Sequence, residues 1–195
     1  MTGTQTSKKI RVRELILCSL FAALIAAGAF IKIPIPVVPF TLQFLFTTLA
    51  GLLIGPIWGL VSVCVYLALG LIGIPIFAQG GGFGYVLQPS FGYLIGFAVG
   101  TFLTGLIAHR VPNPSYKRLF AACFSGLGVV YAFGMAYYWV ISNYYLGEPL
   151  GLWPLFLWCF LLAVPGDIAL CALSAVLGKR LIPILNKPSV SPDAS

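Results

Sequence analysis

The sequence has four acidic residues, and only one of them, Asp167, falls inside a long apolar run. Glu14 stands at the entrance of the first apolar segment, Glu148 in a polar turn and Asp193 in the tail. An aspartate at the centre of a membrane helix costs about 2.5 to 3.5 kcal/mol on insertion scales, so such a residue is a functional candidate by default. Its carboxylate suits three tasks: relaying a proton, holding a cation, or accepting N–H groups of a ligand. A relay needs a second membrane acid or a histidine, and the single His109 closes its segment beside a basic turn. Ligand binding is therefore the leading reading. Thr41, Gln43, Gln79, Gln88 and Ser90 agree with it, because each stands at the end of an apolar run on the same side. Between them lies Ile74–Gly96, which is apolar, uncharged and contains Gly80, Gly81, Gly82 and Gly84. Glycine at this density does not hold a helix, but it lets backbone N–H groups approach a ligand closely. Gly82 sits centrally in this run, and Tyr85, Phe91 and Tyr93 follow it as candidate apolar walls. Taken singly, ordinary packing explains each residue equally well. What distinguishes them is that all reach the same side.

Other chemistries lack their parts. The glycine run is not followed by Gly-Lys-Ser/Thr, so it is no phosphate loop. There is no Ser/His/Asp set and no acid/base pair, which leaves no catalytic residue to name. Five cysteines, Cys18, Cys64, Cys123, Cys159 and Cys171, are scattered singly through apolar segments without metal-ligand spacing. They read as small buried hydrophobes. No metal site and no cofactor follow from the sequence. The net charge of +7 comes from residues at segment ends, with no basic face suited to nucleic acid.

These residues must be positioned by helices. The chain has 195 residues, 60% hydrophobic and 8% charged, against about 25% charged in a soluble domain. It cannot cover a water-facing surface and belongs in lipid. The apolar runs are continuous rather than alternating, which excludes barrel strands and leaves helices. The expected fold class is an all-α integral membrane protein with six transmembrane helices. Residues 1–9 read as a disordered N-terminus, 10–187 as one six-helix membrane domain, and 188–195 as a disordered tail. The helices are expected near Ile10–Phe30, Phe40–Leu53, Ile57–Ile72, Pro89–His109, Leu119–Ile141 and Pro154–Ile182. Pro34, Pro36 and Pro39 make the first connection extended, Gly55-Pro56 breaks the second helix from the third, and Pro165-Gly166 interrupts the last just before Asp167. Ala22 and Ala26, four apart on the first helix, form a smooth face for another helix, within this chain or on a partner. Gly92, Gly96 and Gly100 form a second such stripe. Tyr131, Tyr137, Tyr138, Trp139, Tyr144 and Tyr145 read in part as an interfacial aromatic belt.

With six spans both termini lie on one side. Of 11 Lys and Arg residues, all but Lys32 fall there, so the positive-inside rule puts the termini in the cytoplasm. The glycine-rich stretch then faces outward. No strong internal repeat supports an inverted-repeat transporter.

Ile33-Pro-Ile-Pro-Val-Val-Pro-Phe-Thr-Leu-Gln43, Gly70-Leu-Ile-Gly-Ile-Pro-Ile-Phe77, Gln88-Pro-Ser-Phe-Gly-Tyr-Leu-Ile-Gly-Phe97 and Val164-Pro-Gly-Asp167 together resemble the BioY family. These are biotin-specific S-components of energy-coupling factor (ECF) transporters. The resemblance runs in order from the first helix to Arg180. It implies an S-component fold of six helices in a prokaryotic cell membrane, in contact with membrane lipid. It also implies capture of biotin from outside, and delivery to a transmembrane scaffold subunit and two ATPases. Asp167 matches the aspartate expected to accept the biotin ureido N–H groups. The resemblance also implies that Ala22 and Ala26 match an Ala-x-x-x-Ala motif that meets the scaffold. One departure stands out. The family commonly has Asp-x-x-Lys, the lysine meeting the ligand carboxylate, whereas this chain has Leu170. The carboxylate is left to Lys32, to amides of the glycine-rich stretch, or to solvent. Either biotin binds with its tail held differently, or the ligand is a biotin relative or another small vitamin-like molecule. A subunit that binds other chains without transporting anything is the competing class.

Overall fold

A computed structural model describes residues 4–33 and 40–185. Pro34, Pro36, Pro39 and the tail lie outside the described residues. Among the described residues the regular structure is helical apart from one two-residue strand pair. α1 (Thr4–Phe30) leads into β1 (Lys32–Ile33), which pairs antiparallel with β2 (Phe40–Thr41). Then come α2 (Gln43–Ile72), a 3-10 helix (Phe83–Leu87), α3 (Phe91–Ala108), α4 (Tyr116–Val140), α5 (Leu152–Phe156) and α6 (Val164–Leu185). Among the described residues, five helical stretches are long and apolar enough to cross a membrane: Val12–Phe30, Gln43–Ile72, Phe91–Ala108, Tyr116–Tyr145 and Leu152–Leu185. This is a multi-pass membrane protein.

α1 starts at Thr4, ahead of the expected Ile10. Nothing between Thr4 and Lys9 is a glycine or proline, so no residue there stops the helix. Phe40 and Thr41, expected to open a helix, are extended instead, and the helix begins at Gln43.

α2 is not straight. Gly55 has φ +88° and ψ 178°, and Pro56 follows it without an N–H. The halves fold back on each other there. A Cβ at Gly59 would lie 3.1 Å from the Cα of Gly51, and Gln43 Nε2 is 2.7 Å from the Tyr66 hydroxyl. In an unbroken helix at 1.5 Å per residue, Gln43 and Tyr66 would be about 35 Å apart.

The small-residue stripe on α3 packs against α4. A Cβ would come within 2.8 Å of Phe133 O at Gly92, 2.8 Å of Val130 Cα at Gly96 and 2.9 Å of Gly126 O at Gly100. This close approach positions Tyr93 of α3 beside Tyr131 of α4, ring centroids 6.1 Å apart and nearly perpendicular.

The last span differs from expectation. Its irregular part precedes Pro165-Gly166: a π-helical turn at Leu157–Leu161 and a turn at Leu162-Ala163 separate α5 from α6. Pro165 lies in the first turn of α6, where a missing N–H costs nothing. Asp167 is consequently in that same first turn, its N–H bonded to Ala163 O at 3.2 Å. The positive end of the helix dipole favours a carboxylate there. Four cysteines are buried as expected, but Cys64 is exposed on the outer face of α2.

Candidate functional site

The β1–β2 pair and the connections 72–91 and 140–164 gather at one end of the bundle. The Gly55 bend, the α3–α4 turn and the end of α6 gather at the other. Contacts confirm the second group: His109 Nε2 lies 2.9 Å from Leu52 O, Lys179 Nζ donates to Pro114 O at 2.9 Å, and Arg13 donates to Leu185 O. Arg13, Arg110, Lys117, Arg118, Lys179 and Arg180 are therefore together at one end, far from Asp167.

The first end contains a cavity with about 700 Å³ of unfilled space, its open mouth included. Two kinds of wall enclose it. The first is mainly helical: Thr41 of β2 and Gln43 at the start of α2, Tyr93, Leu94 and Phe97 of α3, Val130 and Tyr131 of α4, Trp158, Cys159 and Ala163 of the irregular turn, and Asp167 of α6. The segment between α2 and α3 supplies Ala78, Tyr85 and Ser90.

Asp167 is buried at 9% exposure. Its Oδ2 accepts a hydrogen bond from the Tyr131 hydroxyl at 2.5 Å. Among the described residues no donor reaches Oδ1, so one carboxylate oxygen is left for a group in the cavity. Tyr93 donates to Cys159 O at 3.3 Å, which ties the irregular turn to α3. A chain of polar contacts lines the opposite flank. Thr41 Oγ1 donates to Gln43 Oε1 (3.2 Å), Gln43 Nε2 donates to the Tyr66 hydroxyl (2.7 Å), and Tyr66 donates to Ile76 O (3.3 Å). Both Thr41 and Gln43 are buried, where an unpartnered amide would be costly.

The loop wall is built differently. Phe77 is 1% exposed, wedged between Tyr66 (5.3 Å) and Tyr85 (4.6 Å). Its ring occupies the space a Cβ at Gly70 would need, only 2.1 Å away. Phe77 and Gly80 close a tight turn, N–H of Phe77 to O of Gly80 at 2.9 Å. Gly80 (φ +122°) and Gly82 (φ +99°) adopt conformations that L side chains rarely take. The N–H of Gly82 is bonded to Gly70 O at 2.7 Å. Tyr137 holds Val86 O from α4, and Lys32 Nζ holds Ala78 O at 2.9 Å.

Of the sequence-selected residues, the structure brings Asp167, Thr41, Gln43, Tyr85, Tyr93 and Ser90 into one cavity. It leaves Gln79, Gln88 and Gly82 off its lining. Gln79 sits at the exposed tip of the Phe77–Gly80 turn, and Gln88 is exposed, its carbonyl bonded to the Phe91 N–H. Phe91 packs on Tyr137 instead. Sequence reasoning missed Tyr131, Trp158 and Cys159 as lining. Tyr131 carried a usable signal: a hydroxyl nine residues before Val140, the end of α4, is too deep for an interfacial belt and needs a buried partner. Ala22 is buried in the core and Ala26 half-buried, whereas Ser19, Ala23 and Ala27 are exposed on the other face of α1.

A helical membrane bundle with a half-enclosed small-molecule cavity at one end, and a single carboxylate inside it, is a substrate-binding membrane protein in its architecture. The sequence matches the BioY family model over residues 4–187, and the chain belongs to that family. It is 45% identical over 168 residues to the probable biotin transporter BioY of Lysinibacillus sphaericus, covering 86% of each chain. With the biotin transporter BioY of Thermotoga maritima it shares 38% identity over 138 residues, 70% of this chain and 78% of the relative. Its fold superposes on the crystal structure of the S-component for biotin from an ECF-type ABC transporter with TM-score 0.76 and 31% identity, covering 93% of this chain and 94% of that one. These relatives are transport proteins rather than enzymes.

Proposed function

We propose that this chain is the membrane subunit that captures biotin from outside a prokaryotic cell and hands it to an ATP-driven coupling module. The observation that carries this reading is the Asp167 carboxylate, held by Tyr131 on one oxygen and open to the cavity on the other. A cyclic urea offers two N–H donors, and a charged acceptor strengthens hydrogen bonds to them. Tyr85, Tyr93 and Trp158 give the apolar faces a bicyclic ring needs. Thr41 and Gln43 flank the head group. Gly82 shapes the loop rather than touching ligand. Gln79, beside Ala78, and Gln88, two residues before Ser90, are assigned to the outer rim of the mouth.

The sharp bend at Gly55 supports six membrane passages, because the halves of α2 run antiparallel. The basic end then lies in the cytoplasm with both termini, and the cavity faces outward. α1 docks on a transmembrane scaffold subunit. The burial of Ala22 shifts the expected contact towards Ala26 and the exposed Ala23 and Ala27 beside it. The ATPases are separate chains, since no phosphate-binding loop exists here.

Isothermal titration of the purified protein with biotin tests the reading. Saturable binding that Asp167→Asn strongly weakens is expected. No heat at micromolar biotin, with the variant giving the same trace, overturns it in favour of a subunit that only binds other chains.

A further inference from the structure

Biotin carries a carboxylate on its tail, and Asp167 cannot hold it, because two carboxylates in one cavity repel. Leu170, one helical turn after Asp167, is buried in the core and does not line the cavity. The next cation on α6 is Lys179, committed to Pro114 O at the opposite end. At the cavity end, Lys32 is the single Lys or Arg among the described residues.

Its placement is specific. In the β1–β2 pair, Lys32 lies opposite Thr41. Its Nζ crosses to Ala78 O at 2.9 Å. Thr41 and Ala78 both line the cavity, while Lys32 itself stands just outside the lining, so its side chain runs from beside one lining residue to the carbonyl of another. An ammonium has three donors, and the partner recorded for this one is a neutral carbonyl. Two of the glycine amides are already committed, the N–H groups of Gly80 and Gly82 being bonded to Phe77 O and Gly70 O.

Resting on the biotin reading above, we propose that Lys32 recognises the ligand carboxylate at the mouth, and so decides whether an acid or a neutral tail is preferred. The head group is held by Asp167 at one site and the tail by Lys32 at another, on separate elements.

The test titrates the full chain and Lys32→Gln with biotin and with biotinamide, in which the tail acid is a neutral amide. Unchanged thermal unfolding of the exposed Lys32→Gln variant serves as the fold control. The wild type is expected to prefer biotin by about tenfold, the scale of one charge-assisted hydrogen bond at a half-open site. Lys32→Gln is expected to lose that preference while binding biotinamide as the wild type does, and Lys32→Arg to retain it. The preference should shrink as salt rises. Equal wild-type affinity for both ligands overturns the proposal and leaves the biotin reading standing. An equal loss for both in Lys32→Gln also overturns it, making Lys32 only a tether for Ala78. If the wild type binds neither ligand, the biotin reading itself fails and the proposal with it.

Discussion

The two walls of the cavity face the same space but are made of different material. On the helical wall, side chains act and most of the backbone is engaged in helix hydrogen bonds. Tyr93, Tyr131 and Asp167 project from three helices, two of which, α3 and α4, are fixed by close glycine contacts. On the loop wall, between Ile74 and Ser90, the backbone makes the surface. One buried ring, Phe77, and two left-handed glycines hold its shape. The difference separates two kinds of sensitivity. A change on the helical wall can remove ligand contacts while the bundle stands. A change on the loop wall moves the wall itself, so stability and binding fall together.

The largest expected effect tests the loop wall. Phe77→Ala removes a ring that touches Tyr66 and Tyr85 and fills the notch over Gly70. Truncating such a buried aromatic costs about 3 to 5 kcal/mol. Thermal unfolding in detergent should show a lower midpoint, and biotin affinity should drop in parallel. Retained stability with lost affinity would put Phe77 with the helical wall and erase the distinction.

Asp167→Asn comes next, and should behave in the opposite way. The side chain keeps its shape and can still accept from Tyr131, so the unfolding midpoint should hold or rise, because a buried charge is gone. Affinity for biotin should fall about a hundredfold, as hydrogen bonds to a charged acceptor contribute about 1.5 to 3 kcal/mol. Tyr131→Phe is a smaller version of the same experiment. It frees Oδ2 without touching the ligand, and should cost about 1 kcal/mol of binding through a less fixed carboxylate. A larger loss than for Asp167→Asn would mean that Tyr131 meets the ligand directly.

The two walls also differ in how legible they were from sequence. The helical wall announced itself through cost: an aspartate in an apolar span must have a reason, and Asp167 is where the cavity lies. Thr41, Gln43, Tyr85 and Tyr93 followed from reaching the same side. Tyr131 was passed over because aromatic residues near a helix end usually form a belt, and its depth was not weighed against the one available acid. Gln79 and Gln88 fall outside the cavity lining for a related reason. A sequence shows that a polar residue is near the mouth but not which way a tight turn aims it. The bend at Gly55-Pro56 was plain from residue chemistry. The break before α6 was misplaced by a few residues, because Pro165 looks the same in a helix interruption as in a helix start.

The smallest prediction isolates what the glycines of the loop wall do. Gly82 and Gly84 both have open space where a Cβ would go, so neither substitution meets a neighbour. They differ in backbone alone: Gly82 has φ +99°, while Gly84 lies in the 3-10 helix and has no positive φ. Alanine at Gly84 should therefore be neutral within about 0.5 kcal/mol, like other exposed changes. Alanine at Gly82 should cost more than the 0.4 to 1 kcal/mol by which such a change stabilises at a compatible site, with the sign reversed: about 1 kcal/mol in unfolding. It should also weaken biotin binding a few-fold, because the Gly82 N–H to Gly70 O bond anchors the wall. If the two alanine variants match in both readouts, conformation is not what these glycines supply. If Gly82→Ala alone loses stability and affinity together, the loop wall works through its backbone, as the helical wall works through Asp167.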